Sequence, residues 1–157
     1  METLGYVRRD LHALHDWCFH QFGMKQMSSS HFVFNRTHKW FKHEVILTKP
    51  AQIKSGNFDY RVTRLGNLIY PGWDCALLAY YRPGGCMKKH RDHPDFESLL
   101  VSVNIGQATL RIDNDKYDLQ DGQVIKFNSH IPHELYPVTS DRWSLTFRRI
   151  RPQHLRF

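Results

Sequence analysis

Residues 77–92 read LLAYYRPGGCMKKHRD, and this stretch decides the fold. Its apolar start predicts a buried strand, Pro83-Gly84-Gly85 predicts a turn, and the residues after the turn predict a second strand. The second strand ends at His90-Arg91-Asp92. Because successive side chains of a strand point to opposite faces, we expect the imidazole of His90 and the carboxylate of Asp92 on the same face. The stretch therefore predicts a strand that presents two metal-ligand side chains together.

A third metal-ligand side chain, His133, is expected to arrive from a later strand. Three protein ligands on one face of an octahedral metal leave three positions open, which is diagnostic of the non-haem Fe(II) oxygenases. Zinc instead is closed off or keeps a single open position. His130 is a rival for the third ligand, but the proline-flanked context of His133 and the later Arg142 favour His133. The residues thus predict a facial triad of His90, Asp92 and His133.

Short runs rich in β-branched and aromatic residues follow one another along most of the chain and are separated by turn signals. The predicted strands are residues 31–35, 44–48, 76–82, 99–105, 108–113, 123–127 and 142–150. Asn114-Asp115 and Asp121-Gly122 fit tight connections between antiparallel strands. The pattern predicts a mainly β chain that folds as a double-stranded β-helix, the cupin-like jelly roll.

Before these runs, apolar residues recur at three- and four-residue steps and predict an amphipathic helix packed outside the sheet. They are Leu4, Val7, Leu11, Leu14, Cys18 and Phe22, and the helix is expected to end at Gly23. No internal repeat, low-complexity tract or Pro/Ser-rich linker marks a boundary. We therefore expect one domain over residues 1–157, with the helix and a basic lid region in 1–75 and the jelly-roll core in 76–150.

The residues around the triad resemble the AlkB-like branch of the Fe(II)/2-oxoglutarate dioxygenases. That family carries the pattern N-x-Y-x-x-G, H-x-D, a distal His and R-x-x-x-x-x-R, and the match runs from about Leu77 to Arg149. Residues 101–106, VSVNIG, are also similar to the core strand V-S-L-S-L-G of the family. The resemblance implies that His90, Asp92 and His133 bind iron, and that Tyr81, Arg142 and Arg148 bind the carboxylates of 2-oxoglutarate.

A guanidinium suits that second role because its planar fork binds a carboxylate through two parallel hydrogen bonds. Two departures from the family pattern stand out. Ala79 occupies the position of the family's Asn, and Asn104 is the candidate replacement. His93 and Pro94 precede Asp95 where the DNA repair members carry further acidic residues that grip the substrate.

Charge is concentrated in one part of the chain. Residues 25–64 hold eight Lys and Arg against two acidic residues, which accounts for most of the formal net charge of +7. Aromatic residues are interleaved with these cations, a mixture typical of a groove for single-stranded nucleic acid: Trp40, Phe41, Phe58 and Tyr60. The alternative is that the cations are solvated and the aromatics form core. Trp73 either stacks on a substrate base or plugs the barrel mouth.

Arg91 lies between two ligands, so on a strand it faces away from the metal and serves structure or a substrate phosphate. The three cysteines, an odd number without C-x-x-C spacing, indicate neither a disulfide framework nor a zinc ribbon: Cys18, Cys75 and Cys86. A reducing compartment is the simplest interpretation. No stretch approaches the roughly 20 apolar residues that span a bilayer, so we expect a soluble, cytoplasmic protein.

The resemblance implies an enzyme that uses Fe(II), 2-oxoglutarate and O2 to hydroxylate N-alkyl groups on nucleic acid bases, as in DNA repair. The hydroxylated product releases formaldehyde, and a target base must leave the stack to reach the metal. A second hypothesis keeps the metal and co-substrate residues and assigns a protein side chain or small metabolite as substrate. A third is a jelly-roll binding module without activity, against which the complete residue set argues.

Overall fold

In the computed structural model, which describes residues 1–26 and 32–152, a ten-stranded antiparallel sheet curls around an interior cavity. A separate two-stranded sheet and two helices complete the described part. The elements are β1 (Glu2–Tyr6), α1 (Leu11–Phe19), β2 (Lys25–Gln26), β3 (Val33–Phe41), β4 (His43–Ile46), β5 (Gln52–Ser55), α2 (Tyr60–Ile69), β6 (Cys75–His90), β7 (Phe96–Ile105), β8 (Ala108–Ile112), β9 (Asp115–Leu119), β10 (Gln123–Asn128), β11 (His133–Leu135) and β12 (Arg142–Ile150).

The large sheet has the order β1-β10-β7-β12-β6-β11-β8-β9, with β3 paired to β6 and β2 paired to β3. This arrangement confirms the predicted mainly β jelly roll. The non-consecutive neighbours place strands from both ends of the chain beside β6, which contacts β12, β11 and β3. No helix in the described ranges is long and apolar enough to cross a membrane.

Alternation along the central strands separates two environments. On β12, Trp143, Leu145 and Phe147 pack in the cluster that also holds the buried residues of α1 and α2. The side chains between them line the cavity on the other face: Arg142, Ser144, Thr146 and Arg148. A polar row on a buried strand is unusual, because polar groups inside a protein need partners. The cavity side of β12 is therefore the face on which a candidate site is sought.

Both helices differ from the sequence-based expectation. Residues 2–6 form β1, paired with β10, rather than the first turn of a helix, and α1 ends at Phe19 rather than at Gly23. The apolar spacing at the start of the chain is compatible with a helix and with a strand. Residues 2–6 form a strand because they pair with the buried strand β10. Helix α2 was not expected, because Tyr60 and Leu68 on its surface are exposed and obscure its periodicity.

All seven strands predicted from runs of β-branched and aromatic residues have counterparts, although the start of the 31–35 prediction lies outside the described residues. The turn predicted at Pro83-Gly84-Gly85 is wrong, because these residues lie within β6, which continues to His90 and pairs there with β11. The strands that were not predicted have five residues or fewer, too few for a clear alternation of apolar and polar side chains: β1, β2, β5, β9 and β11. The predicted turn at Asp121-Gly122 precedes β10, and Gly122 has a φ of +81°, which favours glycine.

Candidate metal centre and its cavity

The three predicted ligands meet at one point of the barrel. His90 ends β6, Asp92 follows it, and His133 begins β11, where it is directly paired with His90 across the two strands. The Nε2 atoms of His90 and His133 lie 3.5 and 3.2 Å from Oδ1 of Asp92. One ligand atom from each residue lies within 4.8 Å of the others. The H-x-D spacing and the distant His therefore form the cluster that the sequence predicts.

Both imidazoles are held in the tautomer that a metal needs. Nδ1 of His90 lies 2.7 Å from the carbonyl oxygen of Lys88, and Nδ1 of His133 lies 2.8 Å from that of Ile131. Because a carbonyl oxygen only accepts, each Nδ1 carries the proton and donates it. Each Nε2 then presents a lone pair toward Asp92. This outer-shell bonding is typical of metal-ligating histidines, so the donor set fits a divalent metal.

Asp92 is fixed by Arg148 on the side away from the imidazoles. Nε of Arg148 donates to Oδ2 at 2.9 Å, and its second nitrogen lies 2.8 Å from the same oxygen. Burial alone would raise the pKa of Asp92, but the positive charge of Arg148 holds it well below its usual range. The carboxylate is therefore ionised, with Oδ1 directed at the two imidazoles.

Arg148 was predicted to bind a co-substrate carboxylate, and that role stays a prediction. Its contacts in the structure are the bonds to Asp92 and a cation–π contact with Phe96, whose ring centroid lies 5.1 Å from the guanidinium carbon. The first role visible in the fold is thus to orient a ligand carboxylate.

A cavity lined by alternate residues of the central strands lies beside the cluster. Its wall includes His133, Tyr81, Arg142 and Arg148 together with apolar side chains such as Phe127. Tyr81 and Arg142 are directly paired across β6 and β12. The guanidinium carbon of Arg142 lies 5.3 Å from the ring centroid of Tyr81. The fold therefore places the predicted co-substrate residues in the same cavity as a predicted metal ligand.

Asn104 holds Arg142 in position. Its Oδ1 accepts from Nε of Arg142 at 2.8 Å, and its Nδ2 donates to the carbonyl oxygens of Gly106 and Gln120 at 2.8 and 2.9 Å. Both amide protons and one lone pair are thus used within the protein. Ala79, Ser144 and Asn104 lie in one row across β6, β12 and β7. Asn104 therefore orients the arginine fork, and its replacement of the family's Asn at position 79 stays a prediction.

The predicted substrate residues are distributed differently. Trp40 and Trp73 are 7% and 3% exposed and pack in two hydrophobic clusters, and Nε1 of Trp73 donates to Asn67. Neither indole is part of the cavity wall that the described residues form. Both indoles therefore pack in the core, and a substrate role for either stays a prediction. Arg91 is exposed beside the cluster, as expected for a side chain that faces away from the metal.

The basic region is partly committed to contacts within the protein. Lys42 donates to the carbonyl oxygen of Trp73, Lys39 donates to Gln21, and Lys25 lies 3.7 Å from Glu44. Of the interleaved aromatics, Trp40 and Phe41 are buried, whereas Phe58 and Tyr60 are exposed and in edge-to-face contact. The region thus combines core and surface. A partner for its surface stays a prediction.

The departure after H-x-D has a structural reason. Nε2 of His93 donates to the carbonyl oxygen of Thr48 at 2.7 Å, and a carboxylate oxygen of Asp95 accepts from the backbone N–H of Ala51 at 2.9 Å. These two hydrogen bonds connect the hairpin of β4 and β5 to the loop that follows Asp92. The residues at the family's substrate-gripping position therefore serve the fold here.

Sequence reasoning missed one cavity residue, Arg36. It is 8% exposed on β3, lines the cavity and donates from Nη1 to the hydroxyl of Tyr81 at 3.4 Å. The two residues are directly paired across β3 and β6. No sequence motif marks this arginine, because its position depends on the pairing of strands that are distant along the chain.

Known proteins support the architecture. The family model of the AraC-like ligand binding domain matches residues 78–156, half of the chain. The structure of OsALKBH1 is similar over 92% of this chain and 93% of its own, with a TM-score of 0.64 and 14% identity. A prolyl-4-hydroxylase from Pseudomonas putida is similar over 96% of this chain and 92% of its own, with a TM-score of 0.64 and 17% identity. At these identities the similarity is one of fold. No curated protein matches the sequence.

Proposed function

The chain belongs to the AraC-like ligand binding domain family, and from this premise and the cluster in its barrel we propose that it is an Fe(II)/2-oxoglutarate-dependent dioxygenase. The observation that carries the proposal is the cluster of His90, Asp92 and His133 with both Nδ1 protons donated to carbonyl oxygens. Two imidazoles and a carboxylate oriented in this way form the donor set of a facial metal triad. OsALKBH1 and the prolyl-4-hydroxylase, which are similar in fold, support the same chemistry.

His90, Asp92 and His133 would hold the metal, and their facial arrangement leaves positions open. When bound, Fe(II) with 2-oxoglutarate and O2 supplies hydroxylation of a substrate C–H bond, and the co-substrate leaves as succinate and carbon dioxide. Arg148 keeps Asp92 ionised and oriented. Arg142 binds the far carboxylate of the co-substrate through its fork, and Tyr81 donates a hydrogen bond. The apolar wall around them excludes water, which strengthens these electrostatic contacts.

For the substrate we propose an N-alkylated base in single-stranded nucleic acid, with demethylation that releases formaldehyde. The surplus of cations in residues 25–64 and the exposed pair Phe58 and Tyr60 support this choice. Arg91 is exposed next to the cluster, and we assign it to a substrate phosphate. Phosphate contacts by such cations predict binding that weakens steeply as salt rises.

One observation favours a second candidate, a hydroxylase of a protein side chain or small metabolite. Trp40 and Trp73 are buried, and the residues after H-x-D are tied to the hairpin of β4 and β5, so two expected means of holding a base are used elsewhere. This candidate keeps every metal and co-substrate residue. It differs only in what approaches the cluster.

The test measures succinate and formaldehyde from iron-loaded protein with 2-oxoglutarate and O2, with and without an N-methylated single-stranded oligonucleotide. His90→Ala is the blank. His130→Ala is the matched control, because His130 lies near in sequence but outside the cluster. Succinate that the methylated strand stimulates, with formaldehyde, supports demethylation. Iron-dependent succinate that the strand leaves unchanged favours the second candidate, whereas equal turnover by His90→Ala contradicts the dioxygenase.

A further inference from the structure

We propose that Arg36 is a second guanidinium for the distal carboxylate of the co-substrate, placed opposite Arg142 across Tyr81. The inference rests on the proposed function and deepens it, because it specifies a co-substrate with a negative charge at the end remote from the metal. It also assigns a binding role to a residue that the family pattern lacks. Arg36 is then a determinant of co-substrate specificity rather than a structural side chain.

The position of Arg36 follows from the strand register. Arg36 on β3 and Arg142 on β12 are both directly paired with Tyr81 on β6. Directly paired residues of adjacent strands share a face of the sheet, so the three side chains form one row inside the barrel. The guanidinium carbons of Arg36 and Arg142 lie 5.8 and 5.3 Å from the ring centroid of Tyr81. One phenol thus has an arginine on each side.

The charges that line the cavity favour an anion. Arg36, Tyr81 and Arg142 are 8%, 1% and 5% exposed, so both cations of the row are largely removed from water. The cavity wall holds a third arginine, Arg148, and within the described part of the chain it holds no Asp or Glu. Of these three arginines, Arg148 is paired with the carboxylate of Asp92. A negatively charged ligand is the natural complement to such a wall.

The neighbours of the two guanidiniums agree with this conclusion. Nε of Arg142 is bonded to the neutral amide of Asn104, and Arg36 contacts the hydroxyl of Tyr81 and the sulfur of Met87 at 3.4 and 3.6 Å. Burial lowers the pKa of Arg142 to about 10, an effect that Tyr81 opposes and the charge of Arg36 increases. The charge of Arg36 thus acts on Arg142, in agreement with the strand register that places both beside Tyr81. A carboxylate that contacts both guanidiniums would offset this repulsion.

A carboxylate fits two forks because its two oxygens offer about four lone-pair sites. A 2-oxo acid that ends in a methyl group would instead place an apolar group against two guanidiniums and exclude water from them. Specificity then arises from the cost of burying the wrong ligand as well as from contacts to the right one. Arg36 is expected to discriminate between ligands that differ only in the distal group.

Calorimetric titration of the Mn(II)-loaded protein tests the inference without turnover. The probes are 2-oxoglutarate and 2-oxopentanoate, which has the same five-carbon 2-oxo acid skeleton with a methyl in place of the distal carboxylate. We expect Arg36→Met to weaken the affinity for 2-oxoglutarate by about 10- to 100-fold, the value of a charge-assisted hydrogen bond, and to strengthen the affinity for 2-oxopentanoate slightly, because its methyl then meets an apolar side chain. Arg36→Lys keeps the positive charge without the planar fork, so we expect it to lose less affinity for 2-oxoglutarate than Arg36→Met does. Arg64→Met, on the exposed surface of α2, is the matched control.

Circular dichroism of each variant establishes that it is folded, and Arg36→Lys serves as the test if Arg36→Met is not. A selective loss of affinity for 2-oxoglutarate supports the pairing of Arg36 with Arg142, here called the arginine clamp. Parallel losses of affinity for both ligands, or unchanged affinity for 2-oxoglutarate, overturn the clamp while the proposed dioxygenase stands. If neither ligand binds the wild-type Mn(II) protein, the proposed function fails, and the clamp fails with it.

Discussion

The bond between Arg148 and Asp92 connects stability to metal binding, and Arg148→Met should weaken both. The side chains are 13% and 6% exposed, and both contacts are shorter than 3 Å, so this is a buried ion pair. Removing one partner of such a pair costs about 3–5 kcal/mol, because the other charge is left buried. For a chain of this size that corresponds to a fall in Tm of about 6–20 °C. Loss of an outer-shell partner also weakens metal binding by about 10- to 100-fold.

Thermal unfolding of the metal-free protein and titration with Mn(II) measure the two effects separately. The adjacent Arg149→Met is the matched control, since Arg149 contacts the carbonyl oxygen of Pro71 and the ring of Tyr70 rather than Asp92. It is expected to lose stability without losing metal affinity. The reasoning would be refuted if Arg148→Met bound Mn(II) as tightly as the wild type, or if Arg149→Met weakened Mn(II) binding equally.

Three further predictions concern single side chains. Asn104→Ala removes the acceptor that orients Arg142, so KM for 2-oxoglutarate should rise about 10-fold while kcat falls less, as steady-state succinate kinetics would show. Gly66→Ala places a Cβ against the indole of Trp73 and 2.6 Å from Cε1 of Phe147, and chemical denaturation should show a loss of about 1–3 kcal/mol. Burial lowers the pKa of His38 to about 4, with Arg36 contributing, so its share of stability is present above pH 6.5 and lost as pH falls toward 4. His38→Leu should flatten the stability profile in that window, and an unchanged profile would contradict the assignment.

Sequence periodicity was sufficient for the sheet because the core strands alternate clearly. On β12, Trp143, Leu145 and Phe147 are buried on one side and the cavity residues lie on the other. Both the strand and its two faces can therefore be predicted from the sequence. The same rule predicted that His90 and Asp92 share a face, and the two side chains do meet, although Asp92 lies just after the end of β6. Helix α2 escaped notice because its N-cap, Asp59, is an ordinary loop residue, although its carboxylate accepts from the N–H groups of Arg61 and Val62.

What sequence could not provide was the consequence of long-range pairing. Trp40 is an aromatic residue in a basic region, which favoured a substrate role. Its strand lies against β6, however, and its ring is buried in a cluster with Leu77 and Val45. Arg36 lies four residues earlier on the same strand. Its residue type predicts a solvated surface cation, but the side chain is buried in the cavity wall. Residue type alone would have assigned the two in reverse, because burial depends on which strand is adjacent and in which register.

One strand sets the relation between the metal cluster and the arginine row. The first half of β6 pairs with β12 at Tyr81, and its second half pairs with β11 at His90. Between them Gly84 has a φ of +86°, and a Cβ on Gly85 would lie 2.8 Å from the carbonyl oxygens of Arg82 and Asn35. Only glycine accepts both conditions at this change of partner. Pro83-Gly84-Gly85 thus lies within β6 rather than forming the predicted turn, and it fixes the path of the backbone between the residue that would face the distal carboxylate and the first ligand of the metal.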